Sequence, residues 1–218
     1  MTAKNGSKDV WFVRHAESIT NAGGAWDDPA TIPLTPLGYT QVNRVTEKLK
    51  THTKPSLIVT SPYIRTHETA KPILAYWDDV EHVVWPIHEF TYLSAERLGV
   101  TTMQSRFEDM SVYWNRNDPD YVDGPDAESY REFIGRVDET IARIREIAQP
   151  NTLIFSHGQF LKALFYRLEY AKDGGLFPMS DLRKFSQEFS VKNTSVARYT
   201  FYADEQEERH SLSIDHLL

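Results

Sequence analysis

The chain has 218 residues, 40% of them hydrophobic and 25% charged, a length that fits one domain and a composition too apolar for a disordered chain. Its 24 basic and 31 acidic side chains leave a net charge of −7, which sets the molecule as a whole against nucleic acid and anionic membranes, so any anion site must be built locally. There is no cysteine, which removes disulfides, thiolate zinc sites, iron–sulfur clusters and a thiol nucleophile.

The first apolar run, Val10 to Val13, predicts a buried strand that ends at Arg14. It is too short for the apolar core of a secretory signal. Thr35-Pro36 then has the form of an N-cap followed by a first-turn proline, and Leu37, Val42, Val45 and Leu49 form a helical stripe through Lys50. Leu57 to Val59 predicts a second strand, and Thr60-Ser61-Pro62 opens another helix carrying Ile64, Ile73 and Leu74. His82 to Ile87 is a third strand candidate.

Ser94 to Asp126 is less regular, with turns at Asp118-Pro119-Asp120 and Asp123-Gly124-Pro125-Asp126, and reads as an insertion on a single domain spanning the chain. From Tyr130 to Ala148 apolar residues recur three or four apart, which predicts a long amphipathic helix. Leu153 to Phe155 predicts a strand, Gln159 to Tyr170 a helix and Val196 to Tyr202 a last strand. The longest uncharged runs, such as Ile147 to Leu161, fall short of the ~18 apolar residues of a membrane span. The cytoplasm is the expected compartment.

Strands alternating with amphipathic helices predict an α/β fold: a mainly parallel sheet with helices on both faces. Ligands of such folds bind beyond the carboxyl ends of the strands. No P-loop, GxGxxG, nucleophile elbow or HExxH occurs. The strand ends offer histidine, arginine and glutamate instead. His15 can attack a phosphoryl group as a neutral imidazole. Arg14 and Arg65 present forks of donors that match phosphate oxygens. His157 supplies a further donor, Gly158 lets the backbone approach closely, and Glu89, after the third strand, can give a proton to a leaving oxygen. The remaining histidines lack ligand-like spacing, so no metal site is expected.

Arg14-His15-Ala16-Glu17-Ser18 with Asn21 resembles the RHG[EQ][ST]xxN signature of the histidine phosphatase superfamily, in its phosphoglycerate mutase-like branch, with Ala16 in place of the glycine. Leu34 to Gly38 with Gln41, Ser61 to Thr66 with Thr69-Ala70, Gly124 to Tyr130, Ser156-His157-Gly158 and Asn193 to Val196 resemble its other segments in family order. The resemblance implies a three-layer phosphoglycerate mutase-like sandwich with no cofactor. It implies that His15 is the phosphorylated nucleophile, that Arg14, Asn21, Arg65 and His157 bind the phosphate, and that Glu89 is the proton donor, with Glu96 as the alternative. The expected activity is metal-independent hydrolysis of small phosphate monoesters. The alternatives are a mutase, for which the region after Glu89 offers only scattered Arg97, Arg106 and Arg116, and a non-catalytic phospho-ligand module. Trp26, in the loop after the first motif, could touch substrate.

Overall fold

The computed structural model describes residues 7–95, 97, 103–202 and 213–215. Its centre is a six-stranded sheet of β1 (Ser7–Arg14), β2 (Leu57–Thr60), β3 (Glu81–Val84), β4 (Asn151–Ser156), β5 (Val196–Tyr202) and β6 (Ser213–Asp215), in the order β3-β2-β4-β1-β5-β6. The first four neighbours, β3 to β1, are parallel. β5 runs antiparallel to β1, and β6 antiparallel to β5.

Side chains alternate across the pleat. Val13, Ile58, Leu153 and Phe155 face one way and meet Val45 and Leu49 of α1 (Pro36–Lys50) and Ala70 and Ile73 of α2 (Ile64–Tyr76). Phe12, Val59 and Ile154 face the other way. There they pack with Ile134 and Val137, and with Leu161 and Phe165. These belong to α4 (Tyr130–Glu146) and α5 (Gly158–Tyr170). The result is the expected α/β sandwich with helices on both faces. Each of the buried Val, Leu, Ile and Phe side chains among them contributes about 1.5–3 kcal/mol.

Thr35 caps α1 as expected, accepting from the Gly38 N–H, with Pro36 in the first turn. Ser129 and Glu132 form a reciprocal capping box at the start of α4. Three expectations shift. β3 stops at Val84 because Pro86 has no N–H to continue the ladder, although Trp85 still donates to the Thr60 carbonyl. α2 begins at Ile64, not at Ser61-Pro62, and has no side-chain cap. The Ser61 hydroxyl is engaged elsewhere. Finally, the stretch read as irregular holds α3 (Met103–Arg116), and α6 (Met179–Glu188) follows α5. Met103, Phe107, Met110 and Trp114 carry a helical spacing, but the adjacent Val112-Tyr113-Trp114 and the exposure of Phe107 and Val112 blur it. Among the described residues, no helix is long and apolar enough to cross a membrane.

The register sets the site. Arg14 lies opposite Ser156, and Thr60 opposite Phe155. The three strands therefore end side by side, and the residues that follow them emerge on one edge. β5 starts at the same edge, so the turn before it, Asn193 to Ser195, closes the group.

Candidate active site

His15 is almost fully buried at the end of β1. Its Nδ1 lies 2.6 Å from the Ala16 carbonyl. A carbonyl only accepts, so Nδ1 carries the proton and Nε2 keeps its lone pair. Burial, reinforced by Arg65 and Arg14, holds the His15 pKa well below the usual histidine range. The ring is thus neutral at neutral pH, with an available nitrogen. Arg65, in the first turn of α2 and equally buried, donates from Nε to that Nε2 at 3.3 Å. Its Nη1 donates to the Pro29 carbonyl at 2.6 Å, and its guanidinium lies over the Tyr63 ring. Burial lowers its pKa to about 10, so it remains a cation.

His157 follows β4 and is fully buried, its ring centre 5.0 Å from that of His15. Burial and the neighbouring cations hold its pKa well below the ordinary value. Its Nε2 meets the Ser61 hydroxyl at 2.7 Å, and its Nδ1 is buried with no hydrogen-bond partner among the described residues. When Ser61 donates to Nε2, the proton of the neutral ring sits on Nδ1, which becomes a donor for an anion. Arg14 donates from Nη1 to the Val191 carbonyl at 2.7 Å, and its buried Nε is likewise unpartnered. A Cβ on Gly158 would stand 3.3 Å from Arg14 Cζ and Nε. The glycine lets that guanidinium lie against the first turn of α5, where the helix N-terminus adds positive potential.

Glu89 lies on the connection after β3. Its Oε1 accepts the backbone N–H groups of Gln159 at 2.9 Å, Phe160 at 3.2 Å and Phe90 at 3.2 Å. One oxygen is thus anchored at the start of α5, which leaves Oε2 for other work. The segment that carries Glu89 is clamped from behind. Arg136 and Glu128 form a largely buried ion pair at 2.6 Å. Arg136 donates to the carbonyls of Pro86 and His88, and Glu128 accepts from the Thr91 N–H. Asn21 uses Oδ1 to accept from Ser18 and from Asn193 Nδ2, which turns its own amide N–H groups outward. Asn193 also donates to the His15 carbonyl, and Thr194, at φ 58°, donates its N–H to the Arg14 carbonyl.

His15, Asn21, Arg65 and Glu89 line one cavity of about 190 Å³. Arg14 and His157 flank His15 from the strand edge. Every site residue read from the sequence is therefore gathered at one edge, except the alternative acid Glu96, which lies outside the described residues. Two cationic forks, a neutral imidazole with an unprotonated Nε2, a second imidazole and a carboxyl group can together hold and transfer a phosphoryl group.

Comparison with known proteins decides the kinship. The sequence profile of the histidine phosphatase superfamily (branch 1) matches residues 10–211. The chain belongs to this superfamily. A relative from Hydrogenobacter thermophilus with the provisional name phosphoserine phosphatase 2 is 28% identical over 157 residues, 72% of this chain and 76% of the relative. The adenosylcobalamin/alpha-ribazole phosphatase of Escherichia coli is 27% identical over 161 residues, 73% and 78% of the two chains. Among solved structures, the alpha-ribazole phosphatase of Shigella flexneri superposes with a TM-score of 0.70 at 23% identity, covering 94% of this chain and 95% of its own.

The histidine phosphatase segments outside the strand ends have physical reasons here. A Cβ on Gly38 would fall 2.2 Å from the Glu17 carbonyl oxygen, so only glycine allows α1 to dock there. Gln41 then accepts from the Glu17 N–H at 2.8 Å. Thr69 accepts from the Ala16 N–H at 3.0 Å and ties it to the Arg65 carbonyl. The methyl of Ala16 sits with Leu34 and Val42 in a small apolar cluster, which accommodates the departure from glycine. Reading the sequence did not single out Ser61 as the partner of His157, nor the Pro29 carbonyl as the anchor of Arg65. Only the tertiary contact reveals them.

Proposed function

We propose that the protein hydrolyses phosphate monoesters through a phosphohistidine on His15. The observation that carries this reading is the His15 ring itself. Its Nδ1 proton is committed to the Ala16 carbonyl, its Nε2 is unprotonated, and Arg65 donates to that atom across 3.3 Å. The phosphatase names of both curated relatives support the reaction class.

In the first step the Nε2 lone pair forms a bond to phosphorus while the ester P–O bond breaks. The departing oxygen takes a proton from Oε2 of Glu89, whose other oxygen stays on the α5 backbone. Arg14, Arg65, the Nδ1–H of His157 and the Asn21 amide hold the three non-bridging oxygens, where charge is spread as the group passes. In the second step Glu89, now ionised, takes a proton from water. The water oxygen bonds to phosphorus, the P–N bond breaks, and His15 returns to its neutral form as phosphate leaves. A mutase reading needs a further cation to grip a sugar-acid carboxylate, and the cavity walls supply none beyond Arg65 among the described residues.

The test is to quench turnover and look for phosphate on His15. An acid-labile, alkali-stable linkage is expected, together with activity that survives excess EDTA and strong inhibition by vanadate, which mimics the trigonal-bipyramidal transition state. Phosphate trapped on another residue, or activity lost on chelation and restored by a divalent ion, would overturn the mechanism.

A further inference from the structure

Resting on that hydrolytic reading, we infer that the leaving group is an uncharged, ring-bearing or branched apolar alcohol and not a carboxylate-bearing one. The cavity begins at His15 and Arg65 and runs outward between the loop after β1 and the segment after Glu89. Its walls there are Trp26 and Ile32 on one side and Phe90, Tyr92, Leu93 and Met110 on the other. The open cleft as a whole, phosphate end included, measures about 190 Å³; for scale, a closed apolar cavity of ~150 Å³ holds benzene.

The charges point the same way. Arg65 is the one cationic side chain lining the cavity among the described residues. Its Nη1 is committed to the Pro29 carbonyl and its Nε faces the reacting nitrogen, so what remains of it serves the phosphoryl oxygens. Arg97, on the same stretch of chain as Leu93, is held by Asp109 at 3.3 Å and Asp123 at 3.2 Å. Glu89 is the lining carboxylate. A substrate carboxylate entering this space would leave water for largely apolar walls, with no cationic partner to spare among the described residues. An apolar group entering it buries hydrocarbon against hydrocarbon. Phosphoserine carries such a carboxylate, so the inference separates this chain from what the name of its Hydrogenobacter relative suggests.

The experiment compares kcat/KM for 2-phenylethyl phosphate with that for phosphoserine and 3-phosphoglycerate. All three release alkoxides, so leaving-group chemistry does not set the order. The aromatic ester should lead by tenfold or more. Trp26→Ala, at a third-exposed loop position, should pull that ratio toward one by raising KM for the aromatic ester. Met110→Arg should lower the ratio by admitting the carboxylates. A wild-type ratio below tenfold, or one unmoved by Trp26→Ala, overturns the inference while a phosphohistidine on His15 keeps the hydrolytic reading intact. Absence of both turnover and phosphohistidine overturns the reading and the inference with it.

Discussion

The two ends of the cavity are built on different terms. At the phosphate end four functional side chains are held by backbone groups: His15 by the Ala16 carbonyl, Arg14 by that of Val191, Arg65 by that of Pro29, and Glu89 by the N–H groups of Phe90, Gln159 and Phe160. At the outer end the walls are mostly apolar side chains from loops and from α3, held chiefly by packing, although Trp26 Nε1 donates to the Thr31 hydroxyl at 3.2 Å. Directed bonds fix atoms to within fractions of an ångström, as phosphoryl transfer requires. Contacts between side chains fix shape and polarity, which can change without disturbing the chemistry. Damage at the first end should therefore cost rate on every ester, whereas damage at the second should redistribute rate among esters.

The largest break in that contrast is His15→Ala. On the proposed mechanism it removes the atom that becomes phosphorylated, and kcat should fall roughly 10⁴-fold or more on aromatic and carboxylate-bearing esters alike. Steady-state assays and phosphoenzyme trapping on both ester classes check it. Residual activity that depended on the leaving group would show that the outer walls take part in the chemistry.

Next comes Glu89→Gln, where the chemical step and the leaving group meet. General acid catalysis contributes ~10²–10⁴-fold. Single-turnover formation of the phosphoenzyme should slow by that amount with an alkyl phosphate. It should slow little with p-nitrophenyl phosphate, whose phenolate departs without a proton. Because glutamine keeps an oxygen to accept from Gln159 and Phe160, the variant tests the proton and not the anchor. Equal losses on both substrates would reject Glu89 as the acid and bring Glu96 forward.

The same contrast explains what could be read from the amino-acid sequence. Arg14, His15, Arg65 and His157 sit directly beyond strands whose apolar runs are plain, and parallel pairing forces those ends together, so their convergence follows from the fold class. Glu89 follows a strand too, but its anchoring to α5 spans 70 residues of sequence. Ser61 meets His157 across 96 residues, and no local pattern announces it. The outer walls are less legible. Trp26 stands out as a candidate substrate contact, but no pattern singles out Phe90, Tyr92 or Leu93, and the helix bearing Met110 is hidden by neighbouring aromatics. Hydrophobic periodicity reports which face is buried; it does not report whether the burying partner is another side chain or a substrate.

Gly38→Ala tests how far the stiffness of the phosphate end depends on the docking of α1. The new methyl would overlap the Glu17 carbonyl oxygen, which is backbone and cannot rotate away. Overpacking of this kind costs about 1–3 kcal/mol. A cost of ~2 kcal/mol is a roughly 30-fold shift in the folding equilibrium, visible as a lowered thermal midpoint. Activity of the remaining folded enzyme should fall on all esters together, since Glu17 lies two residues from His15. An unchanged midpoint would mean that α1 and the first motif move apart freely.

The smallest expected effect comes from Ser61→Ala. Ser61 is fully buried and does not line the cavity. Its hydroxyl accepts from the Tyr63 N–H at 3.1 Å and meets His157 Nε2 at 2.7 Å. Because His157 is held neutral, its single proton can sit on either nitrogen, and only the Nδ1–H form gives the phosphate a donor. Removing the hydroxyl leaves Nε2 buried without a partner and lets the proton move there, which turns Nδ1 from a donor into a repelling lone pair. A neutral hydrogen bond contributes about 0.5–1.5 kcal/mol, so kcat/KM should drop by up to about tenfold, by the same factor for 2-phenylethyl phosphate and phosphoserine. Imidazole ¹⁵N shifts should show the His157 proton moving from Nδ1 to Nε2, a change that a merely loosened fold does not produce. Ser61→Thr, which keeps a hydroxyl, should restore both the tautomer and most of the rate. If Ser61→Ala instead changed the preference between the two esters, the separation between a rigid phosphate end and an adaptable outer wall would fail at the residue that should obey it most simply.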